Sequence, residues 1–252
     1  MPSPSAIDTD LWIRRYHPAR AGAPRVVCFP HAGGSASWYH PMSAALSPRA
    51  EVCSVQYPGR QDRRGERPVD DVTELAGRIA GVLAGLADRP LVFFGHSMGA
   101  VVAYEVARAF AARGLEAPAH LIASGRRGPG THRDERVHER DDDGIIAELK
   151  LLSGTDTRVL GDEEILRMIM PAVRADYRAV ETYRPAPGPR LSCPVTVLTG
   201  DRDPKTELGE AHAWAEVTDG PVEVKVYPGG HFFLTRHLEA VLELTAGIAH
   251  LA

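Results

Sequence analysis

Leu91–Phe110 reads LVFFGHSMGAVVAYEVARAF, and the order of elements in it decides how the rest of the chain is read. LVFF is an apolar run with the look of a buried strand, and Ala100–Ala112 favours helix. Between them lies Gly95-His96-Ser97-Met98-Gly99, a G-x-S-x-G pattern with glycines two residues either side of a serine. That spacing puts serine on a sharp strand-to-helix turn, where the glycines allow strained backbone and close packing of helix on strand. The Ser97 hydroxyl then stands at the positive end of a helix, where a neighbouring base can activate it. The pattern alone recurs by chance, and a tight turn with an inert serine is the competing reading. The strand–turn–helix context argues against that reading.

Outward from this turn the chain alternates. Arg25–Phe29 (RVVCF), opened by Pro24 and closed by Pro30, suits a buried strand, and Glu51–Tyr57 (EVCSVQY) reads as a second. Ala119–Ser124, Pro194–Thr199 and Val222–Tyr227 read as further strands. Val72–Leu86 carries Leu75, Ile79, Val82, Leu83 and Leu86 at helical spacing, and a last helix is predicted over Leu238–Leu251. Strands alternating with helices imply a mostly parallel sheet covered on both faces. Between Gly125 and Pro189 the alternation stops. Arg126–Asp143 is dense in both charge signs, and Ile145–Leu152 and Asp162–Tyr183 read as helices, with Pro171 expected to kink or break the second. An α-helical insertion over residues 130–187 therefore interrupts a core of residues 1–129 and 188–252.

Composition excludes several function classes. The 252 residues suit one large domain or two small ones, with 44% apolar and 25% charged residues. The 29 basic and 33 acidic side chains nearly cancel, to −4, so no general basic field points to nucleic acid. Cys28, Cys53 and Cys193 form no C-x-x-C pair, and no H-E-x-x-H, G-x-G-x-x-G or Gly-Lys phosphate loop occurs. Met1–Trp12 lacks the pattern of a secretory signal, and no apolar run approaches the ~20 residues of a membrane span. A reduced, cytoplasmic protein without metal or cofactor is expected.

A serine nucleophile needs an acid and a histidine later in the chain, in that order. The strand PVTVLT ends in Gly200-Asp201-Arg202-Asp203-Pro204, which offers two carboxylates, and the residues alone do not choose between Asp201 and Asp203. The strand before Pro228-Gly229-Gly230-His231 leads to a histidine on the following loop, the expected general base. His96 is expected to pack or shape the pocket, and His132, His138 and His212 to face solvent. Attack on a carbonyl also needs two backbone donors for the oxyanion. Met98, next to the nucleophile, would supply one; Ala32, in the glycine-rich loop Phe29-Pro30-His31-Ala32-Gly33-Gly34, would supply the other. Arg60 and Arg63 read as a surface ion pair with Asp62 or Glu66. Met168, Met170, Tyr177 and Tyr183 read as packing residues of the insertion.

With these elements in place, the chain resembles the α/β-hydrolase thioesterases, and most closely the stand-alone type II thioesterases of polyketide and nonribosomal peptide assembly lines. The resemblance runs over nearly the whole length. It rests on CFPHAGGSASWY (Cys28–Tyr39), VQYPGRQDR (Val55–Arg63), FFGHSMGAVVAYEVAR (Phe93–Arg108), MPAVRADYRAVETY (Met170–Tyr183), LTGDRDP (Leu198–Pro204) and PGGHFFL (Pro228–Leu234). Tyr57 departs from the family, where many relatives carry leucine before Pro-Gly-Arg. The resemblance implies an α/β-hydrolase fold and a Ser97–Asp203–His231 triad, with Asp203 chosen because the family's acid precedes proline. It implies an oxyanion hole from Ala32 and Met98, and makes the insertion a lid. It further implies a monomer with no cofactor, acting on acyl groups held by the phosphopantetheine arm of acyl or peptidyl carrier domains. At a net charge of −4, docking to an acidic carrier would depend on a local arginine patch. A general serine carboxylesterase and a catalytically idle synthase-docking protein are the alternatives.

Overall fold

The computed structural model describes residues 9–152 and 162–251. Helix α1 (Thr9–Trp12) runs into the two-residue strand β1 (Ile13–Arg14), followed by β2 (Arg25–Phe29), α2 (His40–Leu46), β3 (Glu51–Val55) and α3 (Val72–Leu83). Next come β4 (Leu91–His96), α4 (Met98–Ala112) and β5 (His120–Ser124). Then α5 (Asp142–Leu152) and α6 (Glu163–Thr182) precede β6 (Val195–Gly200), α7 (Leu208–His212), β7 (Val222–Tyr227), α8 (Phe233–Arg236) and α9 (Leu238–Leu251). The strands form one sheet in the order β1-β3-β2-β4-β5-β6-β7, parallel throughout except for β1, which runs antiparallel to β3.

Both faces of this sheet are covered, so its central strands are apolar on both sides. Every residue of β2 and β4 is buried. Successive side chains leave a strand on opposite faces. Val27 and Phe29 accordingly meet Leu75 and Ile79 of α3 and Val101 of α4, whereas Val26 and Cys28 meet Tyr39, Met42 of α2 and Val241 of α9. Asp71 caps α3, its carboxylate accepting the Glu74 N–H at 2.7 Å.

Two differences from the sequence reading concern strand ends. β1 is too short to leave a periodic signal. β3 stops at Val55, where its partner β1 gives way to α1, and the Gln56 N–H donates to the Trp12 carbonyl at 2.8 Å. A third concerns Pro171. α6 is one helix from Glu163 to Thr182 and does not break there. Pro171 lies on the exposed side of α6, while Met170, Val173 and Tyr177 on the buried side close a separate apolar cluster with Val137, Ile145 and Leu149. Burial of that stripe outweighs the hydrogen bond that proline cannot make. Residues 153–161 of the expected insertion lie outside the described residues, as do residues 1–8 and 252 of the expected core. Among the described residues no helix is long and apolar enough to cross a membrane.

The sheet order places a site. β2 has β3 on one side and β4 on the other, so the chain changes direction across the sheet here, and a crevice opens beyond the carboxyl ends of β2 and β4. The loop after Phe29 and the turn at Ser97 both emerge there. The glycines of the turn are required by contact. A Cβ on Gly95 would sit 2.3 Å from the Gly99 carbonyl oxygen, and one on Gly99 would sit 2.0 Å from the Phe29 carbonyl oxygen. Both obstacles are backbone and cannot rotate aside. Gly99→Ala is expected to destabilise the fold by at least about 3 kcal/mol, as severe overpacking does; urea unfolding checks this.

Candidate active site

Ser97 sits between β4 and α4 with φ +54° and ψ −119°, a backbone conformation costly for a residue with a side chain. Its N–H donates to the Ser124 carbonyl at 2.8 Å, which ties the turn to β5. His231, on the loop between β7 and α8, comes within 3.0 Å of Ser97 Oγ through Nε2. Its Nδ1 lies 3.0 Å from each carboxylate oxygen of Asp203. A carboxylate only accepts, so Nδ1 carries the proton and Nε2 is left as the acceptor for the serine hydroxyl. Asp203 and His231 are buried. Asp203 is itself fixed, accepting the Lys205 N–H at 2.8 Å. Asp201 is exposed and does something else: it accepts the Gly229 N–H at 2.7 Å and so ties the β6 loop to the loop carrying His231.

The candidate oxyanion donors flank this chain. Met98 is the first residue of α4, where the N–H has no partner within the helix. Ala32 lines the same cavity as Ser97 and His231. Its neighbours are committed elsewhere: the Gly33 N–H donates to Asp176 Oδ2 at 2.8 Å and the Gly34 N–H to the His31 carbonyl at 2.9 Å.

Arg60 overturns the expected surface pair. It is buried and forms a two-pronged ion pair with Asp176 of α6, at 2.7 and 2.9 Å, because the fold delivers a carboxylate from 116 residues away. Arg63 does pair with Glu66, but it too is buried, its guanidinium lying 4.1 Å from the Trp12 ring centroid. His138, expected in solvent, is half-buried and bonded to Glu181, whereas His132 and His212 are exposed. Met168, expected to pack, is 55% exposed, while Met170 and Tyr177 are buried and the Tyr183 hydroxyl donates to Glu105 at 2.6 Å. No local pattern could pair Arg60 with Asp176. Among the described residues no group of three or more metal-ligating side chains is placed to hold an ion.

A family model described as Thioesterase domain matches residues 24–248. The chain is 60% identical over 241 residues to the probable cadicidin biosynthesis thioesterase of Streptomyces griseus, covering 95% of this chain but 66% of that protein's length. Thioesterase PikA5 of Streptomyces venezuelae is 50% identical over 232 residues, 92% of this chain and 83% of that one. Among solved structures, the type II thioesterase BorB from the borrelidin biosynthetic cluster matches with a TM-score of 0.90 at 49% identity, covering 95% and 98% of the two chains. The chain belongs to the thioesterase family. Its relatives place it with the type II thioesterases, and its sheet is that of the α/β-hydrolase fold.

In this thioesterase the serine and His231 stand beside two further imidazoles. His96 is fully buried, accepts or donates through Nδ1 to Ser124 Oγ at 3.0 Å, and lies parallel to Trp38 with centroids 5.9 Å apart. His31 packs edge-on against Trp38 and Phe232, each at 5.0 Å. Burial, then the neighbouring His231, depresses both; His31 falls to about 3 and His96 lies well below the ordinary histidine range. Both rings are neutral walls at neutral pH. The cavity they bound is small, about 40 Å³, room for a few waters. Beyond His31, Ala32 and Leu149 lies a groove of about 560 Å³, roofed by α6 and floored by the loop of residues 31–38.

The unfolded chain takes up a proton on His31 near pH 6.5, and the folded chain does not until about pH 3. Stability is therefore lost as pH falls through that window. His31→Phe is expected to flatten the loss by one proton, about 1.4 kcal/mol per pH unit, in urea unfolding between pH 6.5 and 4.

Proposed function

We propose that the protein is a type II thioesterase that clears acyl groups from the phosphopantetheine arm of carrier domains in polyketide or nonribosomal peptide synthesis. One observation carries the reading: in a thioesterase-family chain, Ser97, His231 and Asp203 form a continuous line of 3.0 Å contacts at the switch point of the sheet. The matches to thioesterases of biosynthetic clusters support the choice of substrate.

In this reading Ser97 Oγ attacks the thioester carbonyl while its proton passes to His231 Nε2. The N–H groups of Ala32 and Met98 receive the oxyanion of the tetrahedral intermediate. As it collapses, the carbon–sulfur bond breaks and the thiol leaves with the proton from His231. A water then loses a proton to His231 and attacks the acyl-serine; as the second tetrahedral intermediate collapses, the bond between the acyl carbon and Ser97 Oγ breaks, His231 returns the proton to Oγ, and the carboxylic acid leaves. Asp203 holds the Nδ1–H throughout and offsets the positive charge on the ring. Side chains and backbone supply every group in both halves, so the reaction calls for no cofactor.

Residues 130–187 act as the lid over a core of residues 1–129 and 188–252. Two observations support this: α5 and α6 make their own apolar cluster, and the groove under α6 meets the cavity at Leu149. A cavity of about 40 Å³ does not admit an acyl chain, so the lid shifts to admit one. The groove is the approach for the arm, and the exposed Arg64 on its rim suits the arm's phosphate. The enzyme works as a monomer in the cytoplasm, a placement supported by three buried, unpaired cysteines.

Ser97→Ala is expected to abolish release, and Asp203→Asn to cut turnover on the order of 10⁴-fold through loss of the correct tautomer. Asp201→Asn, which touches only the loop tie, should cost less than about tenfold. Release of acyl groups from one phosphopantetheinylated carrier protein, followed by intact mass, measures all three. A strong preference for oxygen esters over carrier thioesters would instead identify a carboxylesterase.

A further inference from the structure

Loop 30–36 is held from two directions, by the segment that follows β3 and by α6. At its start, the Tyr57 hydroxyl donates to the Pro30 carbonyl at 3.1 Å. At its end, the Ala36 N–H donates to Gln56 Oε1 at 2.8 Å. Both anchors belong to the segment that follows β3, part of the sheet. The middle is held from above. Asp176 of α6 accepts the Gly33 N–H through Oδ2 at 2.8 Å, and the same oxygen accepts Arg60 Nη1 at 2.7 Å. Arg60 Nη1 also donates to the Gly34 carbonyl at 3.1 Å, and Nε to the Pro58 carbonyl at 3.2 Å. The Gly33 and Gly34 peptide groups are thus gripped on both sides by one buried ion pair, of which Asp176 is 1% exposed.

Gly33 has φ +75°, and Val173 of α6 lies 3.2 Å from where its Cβ would be, so the helix touches this turn directly. Among the described residues nothing accepts a hydrogen bond from the Ala32 N–H. The peptide that carries this N–H also carries the His31 carbonyl, which accepts the Gly34 N–H at 2.9 Å, so its direction is coupled through that turn to the Gly33 and Gly34 peptides that Asp176 and Arg60 hold.

We propose that Asp176, acting with Arg60, is a positioning residue that sets the oxyanion-hole loop, and that it makes the hole depend on α6 being seated over the core. This rests on the thioesterase mechanism above and extends it. When α6 lifts to admit an acyl group, Asp176 leaves with it, and the Gly33 N–H and Arg60 lose their shared acceptor. The loop keeps the anchors that come from the segment after β3, Arg60 on the Gly34 carbonyl among them, but loses the α6 anchor on the Gly33 N–H. Reseating α6 around a bound acyl group restores the anchor and completes the hole, so chemistry follows closure.

The test compares transition-state and ground-state binding in Asp176→Asn and Asp176→Ala. An alkylboronic acid, which forms a tetrahedral adduct with Ser97, probes the hole. A carrier protein bearing a non-hydrolysable thioether analogue probes binding alone. Removing one oxyanion donor typically costs about 10²–10³-fold. Asp176→Ala should therefore lower kcat and boronate affinity together, by on the order of 10²-fold, with KM and thioether binding within about threefold. Asp176→Asn retains one acceptor oxygen and should fall between. Should Asp176→Ala not fold, the pair Arg60→Met with Asp176→Leu removes both buried charges at once and is read the same way. A merely structural role predicts a lower Tm with kcat and boronate affinity near wild type, and that result overturns the proposal, as does a loss confined to KM. Failure of the wild-type protein to release carrier-bound acyl groups would strike the proposed function instead, because the boronate arm still reports whether the Ser97 adduct depends on Asp176.

Discussion

The backbone at residue 97 bends in a way that only crowded surroundings can enforce. A serine at φ +54° is strained, and the strain persists because Gly95 and Gly99 let strand, helix and the neighbouring β2 backbone close around it. Once the serine is fixed there, other placements follow. A partner for it has to arrive beyond the carboxyl end of the sheet, and β7 ends where it delivers His231 to within 3.0 Å of the hydroxyl. The end of β6 sets the Asp203 carboxylate behind that imidazole. The parallel sheet is what allows this: all the strands from β2 to β7 end on the side where the turn opens.

Much of that frame was legible in the residues, because it depends on local signals. Apolar runs bounded by proline and glycine marked six of the seven strands, and G-x-S-x-G in its context marked the turn. What stayed hidden depends on distant pairing. β1 exists only because β3 accepts it. Arg60 looked like one more exposed arginine, since nothing near it announces that Asp176 will arrive from a helix far down the chain. His138 was misread for the same reason, its partner Glu181 lying 43 residues on. At Pro171 the break that a local rule allows does not occur, because the burial of the stripe beside it holds α6 together. The residues alone do not separate Asp201 from Asp203, and in the fold the two do different things: Asp203 faces the imidazole, and Asp201 ties together the two loops that carry Asp203 and His231.

Electrostatics at the site follow from burial. His96 lies 5.0 Å from His231 and 5.9 Å from His31, centroid to centroid. A second imidazolium at such distances would oppose any positive charge on His231. Burial prevents this by holding His31 and His96 neutral. Aromatic packing by Trp38 and Phe232 supplies the dry environment.

Tyr57 takes on meaning in this setting. Leucine at this position would fill the same apolar space but could not donate to the Pro30 carbonyl as the phenol does. Here the phenol is fully buried, donates to that carbonyl, and lies 5.1 Å from the Arg60 guanidinium. It therefore ties the start of loop 30–36 to the segment after β3 and packs against the arginine that grips the loop's centre. Under the proposed movement of α6, a loop held at both ends by the segment after β3 would keep its path, and the freedom left would be local to the peptides around Gly33. Confining the change to those peptides would keep the rearrangement small, and a small rearrangement can be reversed at each turnover without disturbing the serine beneath it.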